Sequence, residues 1–344
     1  MTSDPHQCFL VTSVGAYADS GLGTGGFTCV HQGRSTVIDK ADSTALFQAD
    51  GLVFRFARSL RSLIGYDAEG VRQVIRMEDW KDMHDVLLIN GEFVCVSTGT
   101  NEVVWLDHFG RLLRRQKFPG DGDAWHLNCL WETAGKLFLS AFGRFDEHRG
   151  WKGKAVEAGF IIDLETGREI FPKLSCPHNP RFIDGDWVVC NSWGKTVLIQ
   201  KPGGEVVTIN LKGFTRGLAF DERFFYVGES ADRKAEAPSN CSYVVTLDRR
   251  TLEEVGRIEI PFPEIYELIM ISPELSQKMA AEPEKFQVYK ANEHITALEE
   301  QVEMGLREIE ALKAKLEKWK RRKGLSQALS DIKKMILGQG ATKE

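Results

Sequence analysis

The chain has 344 residues, of which 42% are hydrophobic and 27% charged, a balance that excludes a wholly disordered chain, a collagen-like repeat and a disulfide-stapled miniprotein. Its formal net charge of −5 provides no overall attraction to nucleic acid, and we expect no nucleic-acid partner. Seven cysteines without CxxC spacing, no signal-peptide pattern and no run of 18 apolar residues predict a reduced, cytoplasmic protein without a membrane span.

Early in the chain, residues 21–26 read GLGTGG and match the spacing of a dinucleotide-binding fingerprint. That fingerprint requires a helix directly after the glycines, because the phosphates bind at the helix N-terminus. Here a strand pattern, FTCVH, follows instead, which is typical of a hairpin loop. We therefore expect no nucleotide cofactor.

A unit of four short strands then recurs along the chain. The strands are rich in Val, Ile, Leu and Phe and are bounded by Gly, Asp, Asn or Pro. The complete units cover residues 44–77, 84–119, 126–175, 178–211 and 215–261. Residues 8–39 supply only three strands, and residues 266–272 supply one more.

This repeat predicts an all-β fold, a six-bladed β-propeller over residues 1–275 in which strands from the two ends close one blade. Ring closure leaves only short, protected sheet edges. A two-sheet sandwich is the alternative, but it gives no reason for a first unit that lacks the strand supplied by the last.

After the propeller the composition changes to a helical pattern over residues 283–322. Apolar residues recur at spacings of three and four with charged residues between them, which predicts a coiled coil and self-association through residues 288–319. The positions are Val288, Ala291, Ile295, Leu298, Val302, Gly305, Ile309, Leu312, Leu316 and Trp319. A helix that packs back on the propeller is the alternative.

The last segment, residues 323–344, is predicted to be a basic amphipathic tail. Residues 318–334 hold seven basic residues and one acidic residue, and apolar residues lie on one helical face. Such a helix can bind an anionic membrane surface, here through residues 318–336. A solvated helix end whose charges complement the helix dipole is an equal alternative.

The innermost strands of a propeller begin around one axis, so polar residues at those positions converge. We predict catalytic roles for His84, Asp85, His126, His178 and Glu267. Predicted substrate-binding residues are Asn128, Asn179, Asn191, Trp193, Arg216, Glu229 and Tyr266. The alternative is structural: polar residues at strand starts can cap backbone groups of the neighbouring blade.

Two chemistries fit this ring. His84, His126 and His178 with nearby carboxylates resemble a shell of imidazole ligands, so a divalent metal ion is one expectation. No local spacing motif supports it, because 42 and 52 residues separate the three histidines along the chain. Without metal, a histidine or a carboxylate would transfer protons while Arg216 binds an anionic group.

The phrases DMHDV, DAWHLNCLW, SCPHNPRFIDGDWVVCNS and EIPFPEIYEL resemble an uncharacterised bacterial propeller family, a domain of unknown function. That family is distantly similar to strictosidine-synthase and gluconolactonase-type six-bladed propellers. The resemblance covers about residues 40–272 and implies an axial metal held by carboxylates and amides. Asp85, Asn128, Asn179 and Glu267 match those positions, whereas the histidines and Arg216 depart from the pattern.

The resemblance further implies a carbohydrate or nucleotide-sugar substrate, since members of such families are often encoded near surface-polysaccharide genes. We therefore expect a propeller enzyme that acts on a carbohydrate-like ligand at the axial pocket, with metal assistance as an open option. The alternative is a non-catalytic oligomeric scaffold for glycan-assembly enzymes at the inner face of the membrane. In either case the expected location is cytoplasmic, with peripheral membrane attachment open.

Overall fold

The computed structural model describes residues 7–15, 25–77, 79–231 and 239–338. Within these residues the chain forms six antiparallel sheets of four strands each. Residues 21–24 of the glycine-rich segment and residues 339–344 of the predicted tail lie outside the described residues.

The strands follow one another along the chain in groups of three and four. The first group is β1 (Cys8–Ser13), β2 (Gly26–His31) and β3 (Arg34–Asp39), followed by β4 (Ser43–Ala49), β5 (Leu52–Ala57), β6 (Ser62–Asp67) and β7 (Gly70–Arg76). The third sheet has β8 (Met83–Ile89), β9 (Glu92–Ser97), β10 (Glu102–Leu106) and β11 (Leu112–Lys117), and the fourth has β12 (Leu127–Thr133), β13 (Lys136–Ala141), β14 (Gly159–Asp163) and β15 (Glu169–Leu174). The fifth sheet has β16 (Pro177–Ile183), β17 (Asp186–Asn191), β18 (Thr196–Gln200) and β19 (Val206–Asn210). The sixth has β20 (Phe214–Phe220), β21 (Phe224–Ser230), β22 (Ser242–Asp248) and β23 (Glu254–Ile260), and β24 (Ile265–Met270) follows it.

The chain is a six-bladed β-propeller. The inner strands β24, β4, β8, β12, β16 and β20 each contact the next in a closed ring. In the first sheet the order is β24, β1, β2, β3, so that the innermost strand comes from the far end of the propeller. This ring places the starts of all six inner strands around one axis.

The apolar strands are buried on both faces because each sheet lies between two others. In β9, Phe93 and Cys95 pack in one hydrophobic cluster, whereas Val94 and Val96 pack in the cluster on the other side. Alternate residues of a strand point to opposite faces, so a nearly continuous apolar run packs against both neighbouring sheets.

Two short helical segments follow the propeller and belong to the same compact unit, residues 1–291. Helix α1 (Pro273–Ala281) is capped by Ser272, whose hydroxyl accepts a hydrogen bond from the Leu275 amide at 3.2 Å. Met279 of α1 and Phe286 of the 3₁₀ turn Pro283–Phe286 are fully buried with residues of the first two sheets. The compact unit therefore extends beyond the predicted boundary at residue 275.

The second unit, residues 292–344, is helical where it is described. Helix α2 (Val288–Lys323) is followed by Gly324, which has the left-handed backbone (φ +69°) common after a helix, and then by α3 (Leu325–Gly338). Large apolar side chains of α2 are exposed, among them Val302, Leu306, Ile309, Leu312 and Leu316. In the described part of the chain, no helix combines the length and apolar character needed to cross a membrane.

Candidate functional site

A cavity of about 360 Å³ opens at the end of the ring where the inner strands begin. We call it the mouth cavity. Six residues singled out from the sequence line it: His84, His126, His178, Trp193, Arg216 and Tyr266. Others that line it were not predicted: Arg58, Asp82, Phe142, Trp151, Phe214 and Glu264.

His84 and His178 are held in the same way by hydroxyls 14 residues later in the chain. His178 Nδ1 lies 2.7 Å from Ser192 Oγ and 3.0 Å from the Cys176 carbonyl, and His84 Nδ1 contacts Thr98 Oγ1 and the Leu127 carbonyl. Each hydroxyl already donates its proton to a carbonyl of the next blade, at 2.5 Å.

The hydroxyl oxygens can therefore only accept from the imidazoles, so Nδ1 must carry the proton in both rings. A neutral imidazole with Nδ1–H has a lone pair on Nε2. Nε2 of His178 is buried and has no hydrogen-bond partner among the described residues, and Nε2 of His84 lies 3.9 Å from Asp82 Oδ1. Nδ1 of His178 therefore matches the structural alternative, whereas Nε2 has no described partner.

Burial keeps both imidazoles neutral. It is the largest cause that lowers the pKa of His178 and of His84 well below 6.5. The positive charge of Arg216 lowers both pKa values further. At neutral pH the cavity therefore holds two uncharged nitrogen bases.

His126 has a different partner. Its Nδ1 lies 2.9 Å from the carboxylate of Asp123, which is almost fully buried in the loop before β12. The ring packs against Trp151 and Phe142, with centroid distances of 4.4 and 4.2 Å. A carboxylate on Nδ1 orients the ring and stabilises positive charge that develops on it.

Arg216 brings a positive charge to the cavity. Its Nη1 donates to Glu264 Oε1 at 2.9 Å, and its guanidinium lies 3.7 Å from the ring centroid of Tyr266. Burial opposes the charge, but attraction to Tyr266 and Glu264 outweighs it and raises the pKa of Arg216. Its Nε is buried without a hydrogen-bond partner among the described residues.

Tyr266 presents a neutral phenol to the cavity. Burial is the largest cause that raises its pKa well above 10. Its hydroxyl is buried near the guanidinium of Arg216, but it makes no hydrogen bond of good geometry with a described residue. The hydroxyl can therefore donate a hydrogen bond to a ligand oxygen.

Asp85 and Glu267 were expected to converge with the histidines, and this expectation is wrong. They line a separate cavity of about 400 Å³, with Trp131 and Arg181. Asp85 directly follows His84, and Glu267 directly follows Tyr266. Successive residues of a strand point in opposite directions, which separates the neighbours.

The carboxylates of Asp85 and Glu267 bind the backbone of the inner strands. Asp85 accepts from the amides of Val86 and Leu130, at 2.9 and 2.8 Å. Glu267 Oε1 accepts from the Leu268 amide at 3.0 Å, and Oε2 lies 3.2 Å from an amino nitrogen of Arg181. These contacts match the structural alternative.

Asn128 and Asn179 complete this set, which we call the axial belt (Asp85, Asn128, Asn179 and Glu267). Asn179 donates to Glu267 Oε2 at 2.6 Å and accepts from the Gly217 amide at 2.6 Å. Asn128 donates to the His126 carbonyl at 3.0 Å, while its own oxygen is buried without a described partner. The belt joins neighbouring blades rather than lining the mouth cavity.

Two further predicted substrate-binding residues also have structural partners instead. Asn191 accepts from the Ser175 amide at 2.6 Å and donates to Thr196, which fixes the turn after β17. Glu229 pairs with Arg257 at 2.5 Å and accepts from the Lys212 amide. Neither lines the mouth cavity. Trp193 does, at its rim, where 44% of the residue is exposed.

The carboxylates and amides of the axial belt do not fit the metal that the family resemblance implies. Both oxygens of Asp85, Oε1 of Glu267 and the oxygen of Asn179 accept from backbone amides, and Arg181 places a positive charge beside Oε2 of Glu267. Only the oxygen of Asn128 is without a described partner, and one oxygen cannot hold the ion. The three histidines do have acceptors on Nδ1, as metal ligands do. Even so, among the described residues no three His, Cys, Asp or Glu side chains are placed to hold one ion.

Apart from Phe214, the first residue of the inner strand β20, the residues that sequence reasoning missed come from connections between strands. Trp151 and Phe142 belong to the connection between β13 and β14, and Asp123 to the loop before β12. The spacing of three residues between Asp123 and His126 was the one signal available for the pair. No local pattern marks Trp151, because a long loop has no register.

Residues 66–277 match the model of a family described as "Domain of unknown function (DUF4915)". No curated protein matches the sequence. Among solved structures, the chain is similar to one from a nidogen/laminin complex (11% identity, 76% of this chain and 97% of that chain, TM-score 0.55).

A protein of unknown function from Bacteroides caccae is similar at 12% identity (77% and 99% covered, TM-score 0.53). The calcium-binding protein regucalcin from Agrobacterium tumefaciens is similar at 14% identity (68% and 79% covered, TM-score 0.50). At these identities the likeness establishes the fold alone.

Proposed function

Because the chain belongs to the DUF4915 family, whose description names no activity, we propose a function from its own geometry: the propeller is an acid–base enzyme that acts on a small sugar-like molecule in the mouth cavity. The observation that carries this proposal is Nε2 of His178, a buried lone pair without a partner among the described residues, on a ring of fixed tautomer. A base held in this way needs no reorganisation before it accepts a proton.

The neighbouring groups supply the complementary roles. His178 accepts a proton from the substrate, and the negative charge that develops is stabilised by the guanidinium of Arg216 and the hydroxyl of Tyr266. His126, supported by Asp123, donates a proton to the substrate oxygen that leaves or becomes negative. We assign the two roles from the partners of the histidines. His178 contacts a carbonyl and a hydroxyl, which suits a neutral base, whereas His126 contacts the carboxylate of Asp123, which suits a proton donor.

The walls and the size support a sugar-like substrate. Phe142, Trp151, Trp193 and Phe214 contribute aromatic surface, on which the C–H face of a sugar ring packs. A cavity of about 360 Å³ is at the small end of ligand pockets and fits one sugar unit. A nucleotide sugar would extend beyond it. A place in surface-polysaccharide metabolism is part of this proposal.

Turnover in D₂O tests the proposal whichever reaction the enzyme performs. The protein is incubated with a panel of sugar lactones, uronates, aldonates and free sugars, and product formation or deuterium incorporation is followed by ¹H NMR. We expect turnover of at least one compound, a loss of about 10²–10⁴-fold in His178→Gln, and no change in the exposed-site control His108→Gln. Equal turnover in the wild type and His178→Gln would refute the base assignment.

The exposed apolar row of α2 supports a second proposal, that of an oligomeric scaffold. Val302, Ile309, Leu312 and Leu316 lie at the predicted heptad positions and are exposed. Two copies of this helix would bury them in a coiled coil. A chain that ends at Ala291 keeps the buried Phe286, so we expect a folded monomer by light scattering, against an oligomer for the full chain. An unchanged oligomeric state after truncation would exclude the coiled coil.

We also propose that residues 318–336 attach the oligomer to an anionic membrane surface on the cytoplasmic side. Exposed Leu329 and Met335 in α3 and the preceding basic cluster support this. Sedimentation with vesicles that contain phosphatidylserine should fall as salt rises, because the attraction is screened. Binding that is equal with neutral vesicles would contradict it.

A further inference from the structure

The mouth cavity has more unsatisfied donors than acceptors. Nε of Arg216, Nε1 of Trp151 and the hydroxyl of Tyr266 are buried without hydrogen-bond partners among the described residues. Nε2 of His178 is an acceptor that is likewise buried without a described partner. Buried polar atoms normally have partners, so a cavity with three free donors and one free acceptor is complementary to a specific ligand.

The charges of the cavity favour a ligand with one negative charge over a ligand with two. Arg58 pairs with Asp82 at 3.2 Å and Arg216 with Glu264 at 2.9 Å, so the arginine and carboxylate charges of the lining cancel. The charge that His126 carries as the proposed proton donor is balanced by Asp123, 2.9 Å away. No lysine is among the described lining residues, and the two imidazoles held by hydroxyls are neutral. A phosphate dianion would lack compensation here, whereas a carboxylate can share the free edge of one guanidinium.

We propose that the ligand of this cavity is a sugar acid. Its carboxylate accepts from Nε of Arg216 and from the Tyr266 hydroxyl, and one of its hydroxyls donates to Nε2 of His178. Trp151 lies at the wall, where its indole N–H donates to a further oxygen and its ring faces the carbon skeleton. This inference rests on the proposed function where it treats the sugar acid as a substrate. Binding of the sugar acid can be measured independently of turnover.

Isothermal titration calorimetry with three probes of equal ring size tests the inference: D-glucuronate, D-glucose and D-glucose 6-phosphate, at constant ionic strength. We expect glucuronate to bind about tenfold to a hundredfold more tightly than either other probe, the range of a charged hydrogen bond in a buried site. Equal binding of glucose, or tighter binding of the phosphate, would overturn the carboxylate assignment. No binding of glucuronate would overturn it as well.

The variant Arg216→Gln should lose that preference. Since the change also leaves Glu264 without this ion pair, Arg216→Lys is the second variant: it keeps the charge but loses Nε and the planar geometry, and we expect a similar loss. Arg111→Gln is the matched control, an exposed arginine that also pairs with a carboxylate, Asp107. Full glucuronate binding by both Arg216 variants would contradict the inference.

His178→Gln separates this inference from the proposed function. It should reduce glucuronate affinity only a few-fold, because the carboxylate contacts remain, while it abolishes turnover. Turnover that depends on His178 without any preference for glucuronate would refute the sugar-acid inference and leave the enzyme proposal intact. Glucuronate binding that depends on Arg216, with no turnover of any panel compound, would support the inference and refute the enzyme proposal.

Discussion

The mouth cavity and the axial belt are both polar and lie next to each other along the inner strands, yet their atoms are satisfied very differently. In the belt, both oxygens of Asp85 and of Glu267 have partners, most of them backbone amides. In the mouth cavity, His178, Arg216 and Tyr266 each keep a buried polar atom without a described partner. The oxygen of Asn128 is the exception in the belt, since it is buried without a described partner. Polarity at the axis is common to both regions, and the concentration of unsatisfied hydrogen-bonding groups around one cavity distinguishes the candidate site from the structural network.

The largest effect should come from the belt. Glu267→Ala leaves Arg181 buried without its ion pair and removes an acceptor from two backbone amides. We expect a loss of about 3–5 kcal/mol in the free energy of unfolding, measured by urea denaturation. The exposed-site control Glu222→Ala should change it by less than about 0.5 kcal/mol. A loss of under about 1 kcal/mol in the free energy of unfolding of Glu267→Ala would contradict a structural role for the belt.

Acid should weaken the fold through the mouth cavity. The pKa values of His84 and His178 are lowered in the folded state, so below pH 6.5 the unfolded chain binds protons that the folded chain does not. Stability is therefore full above about pH 6.5 and falls below it by up to about 1.4 kcal/mol per pH unit for each histidine. Urea denaturation at pH 7.5, 6.0 and 5.0 measures this slope.

The double variant His84→Gln, His178→Gln should flatten the slope, because neither side chain titrates. Asp85 acts in the opposite direction, since a raised carboxyl pKa stabilises the fold as pH falls from about 7 towards 3.8. An unchanged slope in the double variant would show that other groups control the acid response.

A smaller effect concerns the coupling within the belt. Burial first, and then the charge of Glu267, raise the pKa of Asp85 to about 7. Glu267→Gln removes that charge and should lower the pKa of Asp85, followed through its ¹³C carboxyl signal as pH is varied. The signal of Asp107, which is paired with the exposed Arg111, serves as the internal control. A higher pKa of Asp85 in the variant would contradict the assigned coupling.

The smallest effect on stability should come from His178, the residue proposed as the catalytic base. His178→Gln loses one or two hydrogen bonds, which together contribute on the order of 1 kcal/mol at pH 8, where the imidazole is neutral. The same variant is expected to lose turnover. A loss of about 3 kcal/mol or more would place His178 with the belt rather than with the cavity.

The sequence was sufficient to predict the six-bladed propeller, because nearly continuous apolar strands at a regular spacing follow from sheets buried on both faces. It also identified the positions that converge at the axis, since the start of each inner strand can be aligned. It could not predict which of two adjacent residues faces the mouth. His84 and Asp85 are one residue apart, and irregular register near the start of β8 decides their directions.

The other errors have the same origin, in contacts distant along the chain. Trp151 and Asp123 reach the cavity and its histidine from loops, where no periodicity fixes direction. The burial of Met279 and Phe286 against the first two sheets extends the compact unit, although a heptad pattern begins nearby. A heptad count identifies a helical face but not the residue at which that helix leaves the domain.

The position of Met279 and Phe286 also determines when the protein can finish folding. During synthesis the first sheet emerges early, but its inner strand β24 and these two covering side chains are made much later, as the 255-residue separation of the Thr12–Glu267 contact illustrates. Until then the apolar faces around Phe27 and Tyr66 are exposed, and they can bind chaperones or aggregate with other chains. A ribosome stalled before residue 265 should therefore carry a chain that is sensitive to protease, whereas one stalled well beyond residue 291 should carry a resistant propeller.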